Sequence, residues 1–393
     1  MGFSCKQAGA LLAMAVCAAA ANAQGMTFDF SGFGTAGYTW ADTNKAEFVR
    51  DRQPKGADNT GDIGVDSLVG VQGTVHLNSS ISATTQLIVR RSTSTDFTLD
   101  VPLAFLKDAV TQDFAIRVGR LQLPTFMVSE SRQVGFANTF VRPPVEVYGQ
   151  SPLDFIDGVD GQYAHSFGPI DIAAGAFYGK VAVSVQGADV SVRKFAGANI
   201  SATWGPLTLH YARLSGHITI ATSADQLIAA VGAAGFTQLA AQLSIADRAT
   251  TFSDFGLNLD WHNFLLQGEA TQSEIGGFIA STRGQYALAG YRIQKFTPYV
   301  IYSVRKTIGP TSDNTIPQVG PLLPLALAVN AIMGGPDDQH SISGGIRWDF
   351  RDSMDLKLQV DHVSFQGPGL FANVQPGFHS PVTVAGLAVD FVF

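Results

Sequence analysis

The sequence predicts an all-β fold, a 16-stranded antiparallel transmembrane β-barrel with long extracellular loops and short periplasmic turns. Three features lead there: an export signal at the amino terminus, no apolar run long enough to span a membrane as a helix, and a period-two alternation that recurs from about residue 27 to the end. The physical link between them is backbone satisfaction. In lipid every N–H and C=O must be paired within the protein, so a spanning chain without apolar helices has to close a sheet on itself.

The first segment carries Lys6, an apolar run from about Ala8 to Ala21, and Ala21-Asn22-Ala23 as a small-residue cleavage site, so residues 1–23 read as a secretory signal peptide cut before Gln24. A first transmembrane helix is the alternative, but the run is shorter than the ~18 residues that spanning requires. A lipid-attachment site at Cys17 is disfavoured by the bulky Val16, where a small residue is wanted. Residues 24–393 then form one transmembrane barrel domain, since no linker, charge block or low-complexity boundary divides them. Cleavage removes Lys6 and no acid, leaving 24 basic against 32 acidic residues and moving the net charge from −7 to −8. Nothing in that balance favours nucleic acid. Both cysteines, Cys5 and Cys17, lie in the signal, which excludes disulfide scaffolds and cysteine-ligated metals from the exported chain. With 41 Gly, 27 Phe and 15% charged residues, against roughly 25% charged in a soluble domain, the composition suggests an outer-membrane barrel.

The alternation is clearest at Ile342, Gly344, Ile346, Trp348 and Phe350 on one face, against Ser343, Gly345, Arg347 and Asp349 on the other. After a turn at Arg351 to Ser353, Met354, Leu356, Leu358 and Val360 continue the apolar face, with Asp355, Lys357, Gln359 and Asp361 inward. Other short turns fall at Asn78 to Ser80, Asp108 to Gln112, Gly168-Pro169, Gly205-Pro206, His262-Asn263 and Gln294-Lys295. Longer connections run over Ala41 to Gly61, Thr93 to Asp96, Leu121 to Asp157, Lys180 to Lys194, His217 to Thr251, Ile275 to Thr282, Thr307 to Gln339 and Phe365 to Ser380. Eight longer connections alternating with seven short turns give 16 strands, with both termini on the short-turn side. Two loops carry helical patterns: Ser223 to Asp247, with Ser223 and Gln226 in capping-box positions, and Pro324 to Met333. Each is expected to cap its own loop rather than plug the barrel or meet a partner.

The stretch Ser31 to Trp40 matches G-x-G-x-x-G at Gly32, Gly34 and Gly37, but no helix follows Gly37, so a dinucleotide site is not expected. Parity instead puts Phe28, Phe30, Gly32, Gly34, Ala36, Tyr38 and Trp40 on one outward face. Trp204, Trp261, Trp348 and Tyr178 near other strand ends fit the two aromatic girdles of a barrel. His76 and His210 fall on inward parity, but neither has a Ser or Asp partner at recognisable spacing, G-x-S-x-G is absent, and no His pair has metal-ligand spacing. Neither catalysis nor any cofactor is therefore expected.

The final segment SPVTVAGLAVDFVF places Ala385, Leu387, Val389, Phe391 and Phe393 on one face and ends on an aromatic. It resembles the terminal strand of Gram-negative outer-membrane proteins, and that resemblance implies that Phe391 and Phe393 belong to the signal read by the barrel-assembly machinery. With the signal peptide and the strand count, the chain resembles the trimeric 16-stranded general porins. The segment RVGRLQLPTFMVSESRQVGFANTFVRPPVEVYG also resembles a block in a mostly uncharacterised family of proteobacterial porin-like proteins. The resemblance implies a homotrimer among outer-membrane lipids and lipopolysaccharide, with Gly32, Gly34 and Ala36 as a smooth strip against a neighbouring subunit. It further implies a water-filled channel for passive diffusion of small hydrophilic solutes and ions, narrowed by a third long loop folded into the pore.

Here that loop, Leu121 to Asp157, is also the longest; it departs from the usual acidic porin loop by carrying Arg132 and Arg142 beside Glu130, Glu146, Asp154 and Asp157. On strand parity Arg90 and Arg117 face inward with Thr84 and Gln86, and Arg120 lies where the fifth strand meets the loop. These arginines are expected to oppose Glu130 and Glu146 across the narrowest section, with wall ion pairing as the other role for Arg90 and Arg117. Arg132 and Arg142 either line the constriction or sit behind the loop. Arg213, Arg305, Arg347, Lys357 and Glu269 are expected as general lumen lining. A few groups at the neck outweigh the net charge across a Debye length of ~8 Å, so a weakly selective pore is expected. A substrate-specific channel for organic acids, aromatic compounds or phosphate is the alternative.

Overall fold

A computed structural model describes residues 26–50, 53–151, 153–185 and 188–393 of the chain; the expected signal peptide, residues 1–23, lies outside the described residues. Sixteen strands close into one antiparallel barrel. They are β1 (Thr27–Ala41), β2 (Leu68–His76), β3 (Ile81–Arg90), β4 (Thr98–Ala109), β5 (Phe114–Gln122), β6 (Phe155–Phe167), β7 (Ile170–Val185) and β8 (Ala188–Trp204). The second half comprises β9 (Leu207–Ala221), β10 (Arg248–Trp261), β11 (Phe264–Glu274), β12 (Thr282–Tyr291), β13 (Phe296–Thr307), β14 (Gln339–Arg351), β15 (Met354–Phe365) and β16 (Val382–Val392). Each strand pairs with its sequence neighbour, and β16 returns to β1 with Phe33 opposite Val392, so the barrel closes without an open edge. Phe30, Tyr178, Trp204, Trp261 and Trp348 are exposed on the outer wall, as the girdles require.

The seam corrects one expectation. Gly32 and Gly34 are buried rather than open, because the rings of Phe393 and Phe391 lie across them. A Cβ on Gly32 would stand 2.2 Å from Phe393 Cζ, and one on Gly34 would stand 2.5 Å from Phe391 Cζ. The absent side chains make sockets for the last strand's own aromatics; of the three small residues, only Ala36 keeps an exposed position.

Two connections also differ from expectation. The stretch Lys180 to Lys194 is not a long loop: β7 and β8 continue through it, pairing as far as Val185 and Ala188 beyond a register shift after Gly179. The Val181, Val183, Val190 and Val192 alternation sustains these strands past the apolar band. Conversely, β2 begins only at Leu68, because Asp62 and Asp66 turn to bind Arg91 and Arg142.

Besides the short helix α1 (Val145–Tyr148), the long loops hold α2 (Ala224–Ala233), α3 (Thr237–Leu243) and α4 (Leu323–Met333). Ser223 makes no capping bond with its side chain; the cap lies one residue earlier, where Ala224 N–H donates to Thr222 Oγ1 and Thr222 N–H donates to Asp225 Oδ2. Nor does each helix cap its own loop. Ile228, Val231, Leu239 and Leu243 pack with Ala326, Val329 and Met333, joining two loops into one apolar cluster.

Candidate permeation path

The connection between β5 and β6 enters the barrel and crosses to the far wall. It has the composition to do so. Leu121, Leu123, Phe126, Phe140, Val147 and Tyr148, from the end of β5 and the loop, join the inward-facing Leu214, Phe252, Leu265, Leu288 and Ile301 in one buried cluster. Phe126 stacks on Tyr148 at 4.4 Å between centroids and meets Phe252 edge-on at 5.3 Å. Burying each such side chain stabilises by roughly 1.5–3 kcal/mol, enough to glue the loop to β9–β13.

Polar latches fix its register against β11, β13–β15, β1 and the segment before β2. Arg142, 2% exposed, donates through Nη2 to Asp66 Oδ2 at 2.7 Å and to Thr39 Oγ1 at 2.9 Å, and through Nη1 to Asp361 Oδ2 at 3.0 Å. Burial raises the Asp66 carboxyl, but the Arg142 charge and hydrogen bonds, with Arg50 and Thr39, hold it below the usual carboxylate range. Glu146, 1% exposed, accepts from Ser303 Oγ at 2.9 Å, from Gln339 Nε2 at 2.8 Å and from Ser341. Glu269 on β11 accepts from Met127 N–H at 2.8 Å and from the hydroxyls of Tyr148 and Tyr286. Lys357 donates to Gly135 O at 2.6 Å, while Arg347 donates to Phe136 O at 2.8 Å and Asn138 O at 2.9 Å.

Several sequence-predicted roles change accordingly. Glu146 and Arg142 do not face open water across a neck; they are buried anchors at the loop's far end. Arg347, Lys357 and Glu269 hold the loop as well as lining the wall. Arg132 is buried, its Nη1 3.3 Å from Asp154 and its guanidinium 5.5 Å from the Tyr148 ring centre. Arg120 falls on the β5–β6 ladder face of Val118 and Val159, pairs with Asp157 at 2.8 Å, and with the Phe155 ring beneath it borders the outer cavity described below. Arg213 points outward, beside exposed Tyr211.

Open space remains on the other side of the loop. An outer cavity of about 260 Å³ reaches from Arg50 and Thr93 to Arg90, and an inner one of about 470 Å³ from Arg90 to Asp29 and His76 near the short turns. Arg90, Pro102, Gln133 and Asp154 border both and mark their junction. Arg90 is held there by Asp100 at 2.9 Å and Asp154 at 2.6 Å. Arg117 faces the inner cavity over the Phe105 ring and pairs with Asp160 at 2.5 Å. Lys107, opposite Arg117 in the β4–β5 ladder, and Glu130 also line the inner cavity; among the described residues neither shows an ion-pair partner. Beneath the loop, a separate vestibule of about 500 Å³ lies against β9–β14.

Sequence reasoning missed Lys107 and Gln133, and also the alignment of Ser201 Oγ, 2.9 Å from His210 Nδ1, with Asp254 3.8 Å from His210 Nε2. The tight turn at Gly205-Pro206 contains the signal for the first pair, since the hairpin register sets Ser201 opposite His210.

No protein-family model matches the chain, and no curated protein sequence matches it. Solved structures do. Salmonella typhi OmpF in complex with daunomycin matches with a TM-score of 0.58 at 14% identity, covering 93% of this chain and 97% of that one. An anion-selective porin from Comamonas acidovorans matches with a TM-score of 0.54 at 12% identity over 94% and 100% of the two chains. In vitro folded OmpT of Vibrio cholerae, in trimer form, matches with a TM-score of 0.53 at 13% identity over 94% and 100%. With 16 strands, a β1–β16 seam, an inward third loop and these likenesses, the chain has the fold of the 16-stranded outer-membrane porins.

Proposed function

We propose that the protein is a passive, weakly selective outer-membrane channel for small hydrophilic solutes and ions. The observation that carries this reading is the pair of polar cavities meeting at Arg90 and Asp154, left open beside a loop latched to the opposite wall. Weak selectivity follows from neutralisation. The junction groups Arg90, Asp100, Asp154 and Arg132 balance in sign, as do Arg117 and Asp160, so Lys107, Glu130 and Asp29, which meets only His76, carry the remaining charge of the inner cavity. The arginines therefore contribute less transverse field than their number suggests.

Cleavage of residues 1–23, recognition of Phe391 and Phe393 by the barrel-assembly machinery, and a homotrimer in a membrane of lipids and lipopolysaccharide belong to the same reading. A catalytic role for Ser201 and His210 is not favoured: both sit within continuous ladders, whose N–H groups are committed to neighbouring strands and leave no oxyanion donors.

Planar-bilayer recording tests the channel directly. Ohmic openings, in steps of three for a trimer, are the expected result, and a folded barrel that passes no current would sink the reading. Lys107→Glu should move the reversal potential in a salt gradient toward cations, and Glu130→Lys toward anions; equal potentials for both variants would remove these two residues from the path.

A further inference from the structure

A closed barrel pairs each strand on both sides only as far as its neighbours reach, and two strands here outrun theirs on the extracellular side. β5 pairs with β4 no further than Arg120 beside Ala104, so residues 98–103 of β4 continue without a strand on that side. β6 meets β7 last at Asp157 beside Lys180, so residues 181–185 have a partner only in β8. Between them the chain leaves the wall to become the inward loop. The result is a notch, with β4 and β7 three strand spacings or about 14 Å apart. The outer cavity reaches through it: Arg90 and Asp66 from the lumen side line the same space as exposed Leu99, Arg120 and residues 183–185.

The two edges of the notch are not alike. On β4, Pro102 has no N–H to offer, and Val101 O already accepts from Arg120 Nη1 at 3.3 Å. A proline and a charged side chain are the usual means by which an edge is kept from pairing. β7 has neither. Residues 181–185 read Val-Ala-Val-Ser-Val, and among the described residues no hydrogen bond reaches their backbone from the notch. The edge is also firmly held. β8 pairs with β7 as far as Ala188 and with β9 as far as Asp189, so three strands stand together, and Val181 and Val192 are buried at their base.

Such an edge selects its ligand by backbone chemistry. Alternate residues of an antiparallel strand turn N–H and C=O away from the partner, so donors and acceptors recur along the edge about every 7 Å, a pattern that another extended backbone matches. Val183 and Val185 line the cavity beside the edge, and Phe155 lines it too, so apolar side chains at alternate positions of an added strand would gain contact as well as hydrogen bonds. We propose that residues 181–185 of β7 capture an extended, alternately apolar segment of another polypeptide as an added strand in the notch. This goes beyond the channel reading and does not depend on conduction.

The test titrates the purified, folded barrel with a labelled synthetic peptide of alternating valine and threonine between terminal lysines, and with its counterpart N-methylated at every valine and threonine, following fluorescence anisotropy. The side chains of the two peptides are the same and only the main-chain donors differ. The parent should hold the unmethylated peptide on the order of ten-fold more tightly. A shortened variant, in which Asn-Gly replaces residues 182–191 and joins the facing residues Val181 and Val192, should bind both peptides as the parent binds the methylated one. Equal affinity of the parent for the two peptides overturns the proposal, and that comparison stands whether or not the shortened variant folds. Undiminished binding by a folded shortened variant overturns it as well. So does self-association of the parent that shortening abolishes while neither peptide binds, which makes the edge a contact between copies of this chain.

Discussion

Replacing Arg142 by alanine should lower the unfolding temperature of the barrel and raise its single-channel conductance in the same variant. The guanidinium is the one group joining Asp66, Thr39 and Asp361 to the loop, and its removal leaves Asp66 and Asp361 buried with their principal counter-charge gone. Breaking a buried pair in this way costs about 3–5 kcal/mol, because an uncompensated charge stays behind. Lysine should not substitute, since one ammonium cannot reproduce a fork that reaches three acceptors. The sign of the pH dependence follows from Asp66, whose carboxyl lies below its ordinary value when folded. A depressed group contributes stability above its unfolded pKa of ~3.9, and that contribution is lost as pH falls through the lower folded value. The parent latch should therefore persist at pH 4. In Arg142→Ala the same carboxyl is buried without its partner, so acid should relieve part of the defect. Heat-modifiability at pH 7 and pH 4, with bilayer recording at pH 7, checks both statements; parental stability and conductance would show the latch to be idle.

Lys357→Met should be at least as damaging to stability. The lysine is fully buried, with Nζ 2.8 Å from Asp390, 3.5 Å from Asp355 and 2.6 Å from Gly135 O. Methionine preserves much of the volume but leaves Asp390 with Thr35 as its remaining partner and removes a donor from the loop carbonyl. A loss of about 3–5 kcal/mol is expected. The double variant K357M/D390N should recover part of it, because a neutral buried pair avoids most of the desolvation cost. Refolding yield and melting of the three proteins decide the matter: a double variant no better than the single would place the damage in packing rather than charge.

The strands were legible because a barrel wall facing lipid on one side and polar groups on the other writes a period of two, as at Ile342 to Val360. That writing fails where both faces are apolar. On β9 Leu209 and Tyr211 face outward while Leu214, Ile218 and Ile220 face inward against the loop's core, so polarity no longer selects a face, and Arg213 was expected on the wrong one. Tight hairpins carry register, which sets Lys107 against Arg117 across a short turn. Long connections do not: Arg117 and Asp160 are separated in sequence by the whole inward loop, and Arg142 meets Asp361 across 219 positions. The constriction candidates were chosen by charge, while the partners that neutralise or bury them depend on this long-range register. The small residues of β1 were legible as a smooth strip, but the rings that fill it come from the opposite end of the chain.

The apolar packing between loop and β9–β13 separates two properties that strand number usually ties together. Sixteen strands set the circumference, yet on the proposed reading the solute cut-off is set by the gap between the loop's free side and the wall around Arg90 and Pro102. At the level of the loop the lumen thus has a filled side and an open side, while beneath the loop a vestibule remains against β9–β14. Shrinking Leu288 or Ile301 would be felt as thermal weakness with little change in current, whereas altering Gln133 or Pro102 would be felt as a changed cut-off with little change in melting. Stability and permeability can drift independently within one ring of strands.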